Sequence, residues 1–210
     1  MKIRLIILLL LLVPIPDLFY SCCPCDVTTA YIDYSHKALL LKNLDNSGEK
    51  TFVSESSQLN KNAYGIRLYL SREAIANISQ NNCKQIKPMF IQSAYATSCI
   101  CPPAYIYTAS DSIMSIKIIT LNDFDNQHLE NSLVTECFKV AHSHLVVDDY
   151  VKNINFTYES DFEDMIEDEF IIDLVLMNAP TASNVQQFKV QIVLSDGRIL
   201  EQETTKIELI

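Results

Sequence analysis

The sequence predicts an all-β fold: an antiparallel, immunoglobulin-like sandwich with one or two short helical insertions. Three observations carry that expectation. β-Branched and aromatic residues alternate with polar ones in short runs, the period of a sheet wet on one face. Only three glycines occur among 210 residues, so glycine-rich loops are absent. Turn signals separate about eight such runs, the spacing of a sandwich.

The first segment stands apart from that pattern. Lys2 and Arg4 form a short basic start, Leu5 to Val13 is unbroken apolar, and the small residue Ser21 precedes Cys22. Nine apolar residues are too few for the roughly 30 Å of a bilayer core, so residues 1–21 read as a removable export signal. A small residue directly before cysteine is the pattern at which bacterial lipoproteins are cut and diacylated. Cys22 is therefore the expected lipid attachment and first mature residue, and residues 22–210 form one domain. Ordinary cleavage, with Cys22 as a disulfide cysteine, stays open.

Further along, Tyr31–Leu41 holds one or two strands and Tyr64–Leu70 another. Ser71 is placed to cap a short helix over Arg72–Ile78. Met89–Thr97 is a strand, and Ala104–Thr108 adds a short one after the Pro102-Pro103 break. Ile113–Leu121 alternates, and Asp148–Ile154 suits a helix with acid at its positive end. The acidic run Glu159–Glu169 is expected as a solvated loop. Glu169–Met177 is apolar on both faces apart from Asp173, as a central strand is. Phe188–Leu194 alternates strictly, and Ser195-Asp196-Gly197-Arg198 turns it back in a two-residue hairpin. The partner run, Ile199–Leu209, is polar enough for a sheet edge.

Charge and cysteine usage narrow the partners. Losing residues 1–21 removes Lys2, Arg4 and Asp17, which moves the formal charge from −10 to −11. Such a chain repels phosphate backbones, so nucleic acid is excluded as a partner. No later apolar run reaches the length of a membrane-spanning helix. Of seven cysteines, lipidation of Cys22 leaves Cys23, Cys25, Cys83, Cys99, Cys101 and Cys137, an even set in an oxidising compartment. Cys99 and Cys101 share a strand face, and Cys83 or Cys137 is the expected long-range partner for one of them.

Chemistry-bearing motifs are few. Three glycines cannot build a phosphate loop, and Gly-x-Ser-x-Gly and His-Glu-x-x-His are both absent. No catalytic residue or cofactor is assigned, and the chain is expected not to be an enzyme. His142-Ser143-His144, if extended, sends both imidazoles to one face. With Cys99 and Cys101 these form the alternative reading, a zinc or copper site. Asn122–Asn126 resembles a calcium loop but carries His128 where glycine is needed, so backbone-capping Asx residues are expected instead. Tyr95, Tyr105 and Tyr107 flank the Cys-Pro-Pro segment and are the candidate platform for stacking on a sugar.

Tyr95-Ala96 through Cys99-x-Cys101-Pro102-Pro103, Ile116-x-Ile118-x-Thr120 with Asp123-Phe124, the Phe188–Gly197 hairpin and the lipoprotein-like start together carry a resemblance. The chain resembles a family of uncharacterised Bacteroidota lipoproteins holding a domain of unknown function. The resemblance implies an outer-membrane location and β architecture, and it brings no catalytic residues. In that group an acidic run after the lipidated cysteine accompanies surface display. Here Cys23-Pro24-Cys25-Asp26 has one acid, so the leaflet stays open. Asp111-Ser112-Ile113 also resembles the acid–hydroxyl–apolar site these bacteria O-glycosylate. The resulting expectation is a membrane-anchored envelope lipoprotein acting as a non-catalytic binding or assembly module for a protein or glycan. The alternative is a periplasmic protein that handles zinc or copper.

Overall fold

Alternation along two long strands organises the molecule. The computed structural model describes residues 29–76, 104–155, 158–160 and 169–210. Strand β1 (Thr29–Asp45) turns Leu39 and Leu41 inward and Leu40 and Lys42 outward. It pairs antiparallel with β4 (Tyr64–Ala76) from Asp33↔Ala76 to Asp45↔Tyr64. The expected helix after Ser71 is therefore replaced by strand as far as Ala76. Ser71 pairs with Ala38 and Arg72 with His36, and this long ladder outweighs a weak local helix preference.

The main sheet runs β7 (Phe138–Val140), β9 (Phe170–Leu176), β4, β1, β5 (Ala104–Ala109), β8 (Tyr158–Ser160), with β2 (Phe52–Val53) added to β1. A second sheet holds β12 (Ile199–Glu203), β11 (Phe188–Leu194) and β6 (Ile113–Thr120). A third, smaller one joins β10 (Val185–Gln186), β13 (Ile207–Leu209) and β3 (Gln58–Leu59). The architecture is an all-β sandwich with mainly antiparallel pairing. Two pairs, β1 with β5 and β3 with β13, run parallel. Parallel neighbours need a crossover rather than a hairpin, and between β1 and β5 the chain supplies one through β2, β3 and β4.

Between the sheets, Ile66, Leu68, Ile172 and Leu174 meet Ile116, Ile118, Val190 and Ile192 in one buried cluster. Phe188 anchors it, stacked on Tyr64 at 5.6 Å and edge-on to Phe138 at 5.4 Å between ring centroids. Each such ring contributes roughly 1.5–3 kcal/mol through burial. Helix α1 (Val147–Ile154) forms where expected and adds Val147 and Val151 to the core.

Near the C-terminus the structure departs from expectation in two ways. The hairpin loop has three residues, because Gly197 N–H bonds the Leu194 carbonyl and Leu194 N–H bonds the Arg198 carbonyl. Only Gly197 takes a positive φ there, 87°. The partner run also divides in two. Phe188 still exchanges two bonds with Thr204, its N–H donating to Thr204 Oγ1 at 3.0 Å and its carbonyl accepting from Thr204 N–H at 2.8 Å. Beyond Thr204 the chain leaves the second sheet and β13 joins the third.

Cys137, offered as a disulfide partner, is a free thiol buried at the end of a 3-10 turn. Burial pushes its pKa up, with smaller contributions from Glu136 and Asp125. Counting cysteines is a parity argument, and the core position of Cys137 overrides it. Cys22, Cys23, Cys25, Cys83, Cys99 and Cys101 lie outside the described residues. Among the described residues, no helix is long and apolar enough to cross a membrane.

Candidate functional site

A register break in β1 builds the site. His36 pairs with Arg72 and Ala38 with Ser71, so Lys37 is the extra residue of a bulge. Bulges re-aim neighbouring groups, and here the His36 N–H donates to the Asp111 carboxylate at 3.1 and 2.9 Å. Asp111 lies in the turn from β5 to β6 and is 2% exposed. Its Oδ1 is also 2.9 Å from His36 Nδ1, and its carbonyl oxygen is 3.1 Å from the same nitrogen. Both are acceptors, so Nδ1 carries the ring proton and Nε2 of the neutral ring is an acceptor.

Arg198, contributed by the C-terminal hairpin, completes the clamp. Its Nη2 donates to Asp111 Oδ2 and its Nη1 to the His36 carbonyl at 2.8 Å. Its Nε donates to Asp196 at 2.6 Å. Asp196, then Asp111, hold the guanidinium more firmly protonated than usual, and Arg198 in turn lowers the pKa of Asp196. Three segments remote in sequence thus fix one imidazole through charge-assisted hydrogen bonds.

That imidazole lines a cavity of about 180 Å³. Tyr34 and Thr108 come from β1 and β5, Arg72 from β4, Phe170 from the start of β9, and Ser112 from the approach to β6. The Arg72 guanidinium carbon lies 5.2 Å from the Tyr34 ring centre and 5.1 Å from that of Phe170, a cation between two π faces. At the end of α1, Asn155 accepts from Ile113 N–H at 2.8 Å and donates to the Ile113 carbonyl at 2.7 Å. This two-way tie fixes the helix end against β6. His36 is 4% exposed, and among the described residues its Nε2 makes no hydrogen bond. Among the described residues, no acidic side chain lines the cavity.

The residues singled out in the sequence fall elsewhere. Tyr105 and Tyr107 are 8% and 0% exposed, packed with Ile32 and Tyr34 in a second small core. Their faces are therefore not open to a sugar; β5 turns them to the same side as the inward residues of β1. Tyr95 lies outside the described residues. The extended geometry assumed for His142 and His144 is absent. His142 sits in a turn with its side chain 86% exposed, and His144 has φ of 57° with its N–H bonded back to Val140. Cys99 and Cys101 lie outside the described residues. Among those described, no group of three His, Cys, Asp or Glu is placed to hold a metal.

The loop that resembles a calcium site spends its carboxylates locally. Asp125 accepts from the backbone N–H of Gln127 at 2.8 Å and of His128 at 2.7 Å, and Asp123 accepts from Glu130 N–H at 2.9 Å. These are the capping bonds expected of Asx residues. In Asp111-Ser112-Ile113 the acid is buried in the clamp, and Ser112 N–H bonds Ser195 Oγ at 2.9 Å. Sequence reasoning missed His36, Arg72, Asp111 and Arg198 as a group. One signal was present: His36-Lys37 interrupts the alternation of Tyr31–Leu41 at the bulge.

Fold and site together define an all-β sandwich domain with a small cavity beside a bulged central strand. Residues 36–205 match the model of a domain of unknown function, DUF5034, and the chain belongs to that family. The matched span contains all four residues of the group around the cavity. Comparisons with curated proteins and with solved structures give no match.

Proposed function

We propose that this chain is an outer-membrane lipoprotein of Bacteroidota type whose sandwich is a non-catalytic binding module, with the cavity beside His36 as its ligand seat. The observation behind this reading is the clamp: a buried carboxylate, a backbone N–H and an arginine all serve to hold one ring at a cavity wall. Small-molecule sites are built this way, concave and with few, fixed polar groups. Binding is favoured over hydrolysis because, among the described residues, no hydroxyl or thiol is hydrogen-bonded to Nε2, as an activated nucleophile would be.

The anchor rests on the sequence alone. Lys2, Arg4, the apolar run and Ser21-Cys22 support lipidation, and a diacylglyceryl cysteine holds stably to a bilayer where a single chain does not. The partner is a glycan or protein displayed in the envelope. Intact mass of the mature protein, before and after reduction, reports the lipid and the disulfides together. Cys22→Ala is expected to move the protein out of the membrane fraction; retention there contradicts the anchor. For the module, Thr108→Trp at the exposed rim is expected to abolish ligand binding with folding intact. Substrate turnover that disappears with His36 contradicts a non-catalytic role.

A further inference from the structure

We infer that the cavity takes a small ligand bearing both a hydroxyl and a carboxylate, an acidic monosaccharide or hydroxy acid, with the hydroxyl donating to His36 Nε2 and the carboxylate accepting from Arg72. This rests on the cavity being the ligand seat and adds the chemistry of what sits there.

The hydroxyl follows from the tautomer. Two acceptors of Asp111 surround Nδ1, so the neutral ring presents an acceptor at Nε2, and its complement is a donor. The donor is neutral, because an ammonium group would meet the like charge of Arg72. His36 is more than nine-tenths buried, so a hydroxyl at the cavity wall meets an acceptor already fixed in place. The carboxylate follows from Arg72. Its guanidinium carbon sits over both the Tyr34 and the Phe170 ring, and its planar fork of N–H donors suits a carboxylate. Arginine has several such donors, so a ligand adds to the partners Arg72 already has.

Charge and size agree. The chain carries a formal charge of −10, yet among the described residues the lining contains an arginine, a histidine and no Asp or Glu. A volume of about 180 Å³ falls below the roughly 300–1,000 Å³ of drug-sized sites, which sets a limit near one sugar ring. His36 and Arg72 flank the same Tyr34 ring, with ring centres 5.7 Å apart for His36 and the guanidinium carbon 5.2 Å away for Arg72. One small molecule therefore spans both groups.

The test is calorimetric titration of the mature chain, purified in detergent, with glucuronate, lactate, glucose and acetate. Glucuronate or lactate is expected to bind at least about tenfold tighter than glucose and acetate, the loss that follows from removing one charged hydrogen-bond partner. Which of the two binds tighter distinguishes sugar from hydroxy acid. Arg72→Met is expected to erase the preference for glucuronate over glucose, and Thr108→Trp to abolish binding while the melting transition is retained. Glucose binding as tightly as glucuronate, acetate binding as tightly as lactate, or no binding by any of the four overturns the inference. Neutral-sugar binding blocked by Thr108→Trp overturns the inference alone and leaves the binding-module reading standing. Ligand binding at a surface that Thr108→Trp does not touch overturns both.

Discussion

Two buried carboxylates, Asp173 within the main sheet and Asp111 in the turn that leaves it, face the same problem and solve it for different ends. Asp173, on β9, takes a bidentate bond from Arg67 at 2.6 and 2.7 Å and a third from Thr51 Oγ1 at 2.9 Å. Arg67 is its cross-strand neighbour on β4, and Thr51 reaches it from the segment before β2. Asp173 is sealed, and its partners secure the chain between β1 and β2 to the sheet. Asp111 also takes an arginine, but its other bonds go to a backbone N–H and an imidazole whose far side lines a cavity. One carboxylate locks structure to structure. The other locks structure to a group that lines the cavity. A buried charge is costly unless fully paired, and here one is spent on orienting a single ring.

Substitutions separate the two. Asp173→Ala is expected to cost more, about 3–5 kcal/mol, since the Arg67 side chain is only 20% exposed and is left as a largely buried, unpaired charge. It should leave ligand affinity unchanged; a loss of binding would erase the distinction. Asp111→Ala removes the acceptor of the His36 N–H, leaves His36 Nδ1 only the residue-111 carbonyl and takes one of three partners from Arg198. Leaving a buried donor unsatisfied costs about 1–3 kcal/mol. Denaturant unfolding is expected to show that loss, and Asp111→Asn is expected to weaken ligand binding even where the protein still folds.

Acid sharpens the same contrast. Burial pushes the Asp173 carboxyl up, but the bonds from Arg67 and Thr51 prevail and hold it below its ordinary 3.8. A lowered folded pKa contributes stability that is present above the unfolded value and is lost as pH falls through the folded one. Urea midpoints of the native chain are therefore expected to drop below about pH 4, and those of Asp173→Asn to drop less. The smallest effect belongs to His128, raised above its ordinary 6.5 first by Asp125, against burial, and then by Glu136. Its contribution is present below the unfolded pKa and fades as pH rises through the folded one. Melting temperature is expected to fall slightly between pH 6 and 8, and His128→Gln to flatten that slope.

Much of the scaffold was legible because it depends on local pattern. The strict alternation of Phe188–Leu194, the acid-led α1 and the apolar run around Asp173 each declare themselves within ten residues. What was not legible depends on what a residue meets across the fold. Alternation assigned Tyr105 and Tyr107 to one face of β5, but only the pairing with β1 makes that face the inward one. Ser71 looks like a helix cap until β1 offers thirteen residues of β4 a ladder. The clamp is the extreme case, with His36 and Arg198 separated by 162 positions. A polar residue inside a strand reads as surface, and an arginine after Asp-Gly reads as turn, until the two are seen to share Asp111.

The central claim is that Asp111 fixes His36 with its proton on Nδ1 and offers Nε2 to the cavity. Nitrogen NMR of the His36 imidazole, recorded in the neutral ring with and without glucuronate, tests it most directly. The account predicts a protonated Nδ1 and an unprotonated Nε2 in the free protein, with the Nε2 signal moving on addition of glucuronate and staying put in Thr108→Trp. A proton on Nε2, or an Nε2 signal indifferent to every hydroxylated acid, contradicts it.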